Sequence, residues 1–210
     1  MAIKDRRERE QSGRRRLIVS TARRLAEAEG WDAVTTRRLS TEIEYSQPVL
    51  YKHFAGMEQI ADAVALDGYT ELTAAMGAAS ADVDAPAGVA LARIAQAYLD
   101  FARDNPAVYE AMFARATTLR FAAQDTPEQL SDAFAALHQA VHRVAVGQDV
   151  DTLTEVFWAA LHGLVSLGAT GRLRGDHARE RVRLLVEQFA GTSDPLREAH
   201  RAEPETSPRR

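Results

Sequence analysis

Apolar residues recur at steps of three and four along most of this chain, and no segment keeps a two-residue alternation. Without alternating strands there is no sheet to close, so the core must form by packing helix on helix. Ile18, Ala22 and Leu25 mark the first such face, and Gly30 is placed to stop it. Trp31 and Val34 follow as apolar anchors of a short loop. Thr35, whose hydroxyl can hold free N–H groups, opens a short second helix that ends near Ile43. Ser46 takes the same place ahead of a third, about 47–54. Pro48 then falls in the first turn, where its missing N–H costs nothing. Longer helices are expected at about 57–79, 87–103, 106–115, 127–146, 150–170 and 177–190. The expected fold is all-α, with about nine helices.

The charge is divided unevenly. Residues 1–56 carry 12 Lys or Arg against 8 Asp or Glu, while the whole chain has a net charge of −4. A basic first part on an acidic body points to a polyanion that meets the first part alone. There are no cysteines, which excludes disulfides, zinc–thiolate sites and thiol nucleophiles. No uncharged run reaches the roughly 18 apolar residues of a membrane span, and no apolar signal core follows the charged start. The expected location is the cytoplasm, with no membrane partner.

Within the first part, the second and third helices are separated only by Glu44 and Tyr45. Short helices joined so tightly make a helix-turn-helix unit. Leu39, Ile43, Leu50 and Phe54 hold the pair together, so the third helix presents Gln47, Pro48, Val49, Tyr51, Lys52 and His53 outward. Glutamine can pair with adenine, and small apolar groups can touch the thymine methyl. Tyr, Lys and His suit phosphate oxygens. An ordinary three-helix surface unit shares the periodicity; the exposed Tyr51-Lys52-His53 run beside a basic segment favours DNA.

Thr35-Thr36-Arg37-Arg38-Leu39 and Ser46-Gln47-Pro48-Val49-Leu50-Tyr51-Lys52-His53-Phe54 resemble the DNA-binding domain of the tetracycline-repressor (TetR) family over about residues 14–64. The resemblance implies a homodimeric, all-helical, ligand-responsive repressor of a double-stranded DNA operator. By position it implies DNA contacts from Thr36, Arg37 and Ser46, base reading by Gln47, Pro48 and Val49, and phosphate or groove contacts by Tyr51, Lys52 and His53. Two positions depart from the family pattern. Glu44 stands where the turn usually has glycine, so a positive φ there would carry strain of about 1 kcal/mol. Met57 stands where a basic residue commonly opens the fourth helix, and Arg14 to Arg16 or the N-terminal segment is expected to supply part of the missing charge.

Four segments are expected: a flexible basic arm at 1–13, the DNA-binding domain at 14–60, an effector-binding and dimerisation domain at 61–191, and a disordered tail at 192–210. In the third, Phe157-Trp158-Ala159-Ala160-Leu161-His162-Gly163 and Asn105-Pro106-Ala107-Val108-Tyr109 resemble a TetR subfamily with a Trp-His-Gly signature. The apolar faces of the last two helices, with Gly163 and Gly168 allowing close approach, are expected to pair two subunits. Phe101, Met112, Phe113, Phe134, His138, Trp158 and His162 are candidates for lining a pocket for a small apolar effector, against the plainer alternative of an ordinary core. His138 and His142 lie four apart on one helix, but no acidic or cysteine partner is spaced to complete a metal site. No Gly-rich phosphate loop, HExxH or Gly-x-Ser-x-Gly elbow occurs, so neither catalysis nor a cofactor is expected. The alternative to a ligand-released repressor is a DNA-binding regulator without an effector.

Overall fold

The computed structural model describes residues 2–115, 119 and 126–191. The expected tail at 192–210 lies outside them. The described residues hold nine α-helices and no strand: α1 (Ala2–Glu29), α2 (Thr36–Glu42), α3 (Gln47–Tyr51), α4 (Met57–Ala79), α5 (Ala87–Asp104), α6 (Pro106–Phe113), α7 (Glu128–His142), α8 (Val150–Ala169) and α9 (Ala178–Ala190). Short 3-10 turns stand at Trp31–Ala33 and Gly175–His177.

Residues 2–13 are a correction. Expected as an arm ahead of the first helix, they continue α1 back to Ala2. Their Arg, Glu and Gln are good helix formers, and an extension of a formed helix has no nucleation cost. Arg6 and Glu10, one turn apart, form an ion pair at 3.0 Å. The other end of α1 stops where glycine stands. Gly30 takes φ 82°, and its N–H closes onto the Ala26 carbonyl at 2.8 Å.

The described residues form two compact units, one from 2–79 with those of 97–136 and one from 80–96 with 137–191. In the first, Ile18, Leu25, Leu39, Leu50, Ile60, Leu72, Met76, Tyr69, Tyr98 and Val108 are buried. Gly68 of α4 lets α6 come close: a Cβ there would press into Val108 and lie 2.8 Å from Met112 Sδ. In the second unit Leu91, Ile94, Leu137, Val141, Phe157, Leu161, Val186 and Phe189 are buried. The Phe157 and Phe189 rings meet edge-on at 5.0 Å. Asp149 caps α8 by accepting the Thr152 N–H at 2.9 Å.

Candidate nucleic-acid interface

The turn between α2 and α3 is built from backbone. Thr35 caps α2 as expected, its Oγ1 accepting the Arg38 N–H at 3.1 Å. The chain leaves α2 through Glu44, at φ 56° the one non-glycine residue with positive φ among the described residues. The Tyr45 N–H closes onto Ser40 O at 3.0 Å and the Glu44 N–H onto Thr41 O at 3.4 Å. These two bonds are the Schellman pattern that ends many helices, with Glu44 where glycine is usual. Glu42 accepts from both Arg24 and Arg38, which hold its carboxyl below the usual carboxylate range, and Arg38 also reaches Glu29.

Ser46 occupies the N-cap of α3, but its hydroxyl makes no capping bond. A capping oxygen needs the second or third N–H of the helix. The second belongs to Pro48, which has none, and that of Val49 already closes onto the Ser46 carbonyl at 2.9 Å. The helix stays in place through Leu50 and Phe54, 1% and 2% exposed. Gln47, Pro48, Tyr51 and Lys52 are therefore exposed, with Arg37 and Ser46; Thr36, Val49 and His53 are half-buried.

Arg15, from α1, braces the far end of this short helix. Its guanidinium donates to the His53 carbonyl at 3.0 Å and lies over the Phe54 ring at 4.0 Å. Burial, then the charges of Arg14, Arg15 and Lys52, push the His53 imidazole below its ordinary pKa. It is thus neutral near pH 7, among three cations, until an anion reverses the balance. Beyond it the Ala55 N–H donates to Gln59 Oε1 at 2.9 Å, fixing the entry to α4, where Met57 is half-buried. The Arg14-Arg15-Arg16 run is visible in the sequence, but the role of Arg15 as brace is not.

A second polar site was not legible at all. α6 begins with Asn105 and Pro106, and the Asn105 side chain makes no cap bond. Glu27 of α1 takes that place, its carboxylate accepting the Ala107 and Val108 N–H groups, each at 3.1 Å. Asn105 instead accepts from Arg23 at 2.8 Å and donates to Phe101 O, while Arg23 also pairs with Glu71 of α4. Trp31 Nε1 donates to Ala107 O at 2.8 Å, and Arg115 lies over the Trp31 ring at 5.1 Å. So α6 is held to α1 and to the loop after it by buried or half-buried polar bonds.

The seven pocket candidates are divided between the two units. Phe101, Met112, Phe113 and Phe134 belong to the first. Met112 is buried at the Gly68 contact, and the Phe113 ring meets those of Tyr69 at 5.6 Å and Tyr109 at 4.6 Å. Beside them Tyr98 and Tyr109 share a buried hydroxyl bond of 2.9 Å, and Tyr69 donates to Met112 O at 3.0 Å. Burial pushes the Tyr69 and Tyr109 hydroxyls above their ordinary range, so they stay protonated. His138, Trp158 and His162 belong to the second unit, all half-buried. Burial lowers the His162 pKa. His138 does meet an acid from another helix: Asp151, from the first turn of α8, stands 3.1 Å away, and no third ligand joins them among the described residues. Sequence spacing along one helix could not reveal a partner delivered by another.

A tight helix-turn-helix with an outward polar and basic face defines the class, a DNA-binding regulator. Residues 18–64 match the model of bacterial regulatory proteins of the tetR family, and residues 91–189 match that of the tetracyclin repressor-like C-terminal domain. The chain belongs to the tetR family of transcriptional regulators. It is 34% identical over 96 residues to YobS, an uncharacterized HTH-type transcriptional regulator of Bacillus subtilis. That match spans 46% of this chain and about half, 49%, of the relative. A second such regulator, from Mycobacterium tuberculosis, is 29% identical over 164 residues, 75% of this chain and 71% of its own length. Among solved structures, a protein of unknown function from Rhodococcus sp. RHA1 superposes with a TM-score of 0.68 at 26% identity, covering 84% of this chain and 93% of the other. RolR in complex with resorcinol superposes at 0.58 with 15% identity, covering 96% and 98%. No described helix is long and apolar enough to cross a membrane.

Proposed function

We propose that the chain is a repressor that binds a near-palindromic operator as a homodimer in the bacterial cytosol and is released by a small apolar effector. It needs no cofactor and catalyses nothing. The observation that carries the DNA reading is the face of α3. Gln47, Pro48 and Tyr51 are exposed on a helix anchored from behind by Leu50 and Phe54 and braced by Arg15. Gln47, Pro48 and Val49 read base edges in the major groove, while Thr36, Arg37, Ser46, Tyr51, Lys52 and His53 hold phosphates and set the register.

Support for the dimer comes from α8 and α9. Val156, Leu167 and Leu184 are 53%, 42% and 46% exposed, large for apolar side chains in helices. On α8, Val156, Ala160, Gly163, Leu164 and Leu167 fall on one stripe, and a Cβ at Gly163 would meet nothing. A second copy laying the same two helices across this stripe would cover it, and its recognition helix would enter a successive major groove.

Effector action rests on α6. It carries Met112 and Phe113, two of the pocket candidates, and its first turn is capped by Glu27 of α1. A ligand that favours a different place for α6 must either carry α1 with it or break the cap. Either way operator affinity falls by the ligand's differential affinity for the two states. The fold has room for such a ligand in RolR, whose structure holds resorcinol.

The test is enrichment of duplexes from a random pool by the full chain, followed by sedimentation of the bound complex. A two-fold-related sequence bound by two chains is expected. A monomer at micromolar concentration would remove the dimer. Release of that duplex by no member of an aromatic and aliphatic compound set would leave the effector-independent regulator as the better reading.

A further inference from the structure

α1 changes character along one stripe. Its C-terminal half buries Ile18, Ala22 and Leu25 on a single face. Followed backwards in steps of three and four, the same face passes through Arg15 and Arg14, then Gln11 and Arg7. A face that is core in one half is basic and exposed in the other. Glu8 and Glu10 fall to its two flanks, and Glu10 pairs with Arg6. Arg7 and Arg14 are exposed and have no carboxylate partner among the described residues. The stripe's direction follows from its contacts. Arg15 touches the His53 carbonyl and the Phe54 ring, and the Arg14 charge acts on His53. From Ile18 back to Arg7 the helix advances about 16 Å. A row of guanidinium groups therefore runs outward from the C-terminal end of α3.

We propose that the Arg7–Gln11–Arg14 face of α1 is a second DNA contact, gripping the phosphates of the duplex that flanks the sequence α3 reads. It rests on the DNA-binding reading above. The contact is with backbone and carries no base preference, because guanidinium groups on a straight helix meet phosphate oxygens whatever the sequence. It works as a rigid helix continuous with the core, not as an arm that folds on binding. Gly13 is off the stripe, and a Cβ there would meet nothing, so the helix can be stiffened without touching the contact.

The experiment uses the full chain and the duplex enriched from the random pool, in two lengths. One carries flanks of about 10 base pairs, a helical turn, on each side, and the other has none. On the flanked duplex, Arg7→Ala/Arg14→Ala is expected to lower the slope of log affinity against log salt by about 0.9 for each phosphate no longer neutralised, about 2 per subunit. Affinity falls several-fold and the enriched sequence stays the same. On the trimmed duplex wild type and double variant become equal. Gly13→Ala, with circular dichroism as the fold control, keeps or raises affinity. Gly13→Pro, which breaks the helix ahead of the core, weakens binding as much as the double variant does. An unchanged salt slope on the flanked duplex overturns the proposal, as does an equal drop in affinity on both duplexes. Full affinity in Gly13→Pro overturns the rigid-helix form of it. A wild-type chain that enriches no sequence sinks the DNA-binding reading itself, a separate result that takes this proposal with it.

Discussion

α3 and α6 are both short, and both have a proline in the first turn and a residue ahead of it that could cap. Neither residue does. In α3 the place stays open: Ser46 makes no cap bond and is exposed. In α6 the first turn is closed by Glu27, brought from α1, with Trp31 bound to the same residue, Ala107. The difference follows surroundings. In α6 Pro106 is exposed but Ala107 and Val108 behind it are buried, and their free N–H groups would be costly. The start of α3 faces outward, with Ser46, Gln47 and Pro48 exposed, where no such cost applies. Intramolecular polar bonds thus tie α6 to α1 and leave the first turn of α3 open.

This contrast can be broken at several points. Leu50→Ala, removing the anchor behind α3, should cost about 2–4 kcal/mol in denaturant unfolding, because the site is closed on all sides. Glu27→Gln should cost about 1–3 kcal/mol and raise hydrogen exchange at the Ala107 and Val108 amides. A variant with unchanged exchange there would mean the cap carries no weight. Tyr51→Ala, on the open face, should leave the unfolding midpoint within about 0.5 kcal/mol and weaken operator binding about fivefold, read by gel shift. Gln47→Ala should instead broaden the range of operator variants bound. Glu44→Gly should stabilise the chain by about 0.5–1 kcal/mol, since glycine takes φ 56° without the side-chain penalty.

The smallest effect is with pH, and its sign differs between the free and bound states. His53 and His162 have folded pKa values below the ordinary 6.5. The unfolded chain then binds more protons just below that value, so stability is full above it and declines as pH falls below it. On DNA, phosphates favour the charged imidazole of His53, so operator affinity should rise over the same interval. His53→Gln should flatten the affinity trend and leave only the His162 part of the stability trend. A melting temperature that rises on acidification between pH 7 and 6 would contradict the burial argument.

Much of this architecture is local and so was legible. Thr35 caps α2, Gly30 ends α1, and α4 runs Met57–Ala79 as its apolar spacing implies. The exposure of Gln47, Pro48, Tyr51 and Lys52 follows from Leu50 and Phe54 being four apart, while Val49 and His53, expected outward too, are half-buried. The positive φ at Glu44 is signalled only by the family resemblance, in which glycine usually stands at that place. Residues 2–13 misled because their face has no apolar period, yet a helix already formed behind them extends at little cost.

What the sequence determined alone is the set of helices, the glycine and threonine ends at Gly30 and Thr35, and most of the face of α3 left over after burial, since each depends on neighbours within a turn or two. What only the tertiary structure decided is which distant polar group completes which helix. Glu27 caps α6 across about 80 residues of chain, Arg15 closes the end of α3, and Asp151 meets His138. No periodicity encodes these pairings, because a carboxylate or guanidinium finds its partner only after the apolar faces have set the helices side by side.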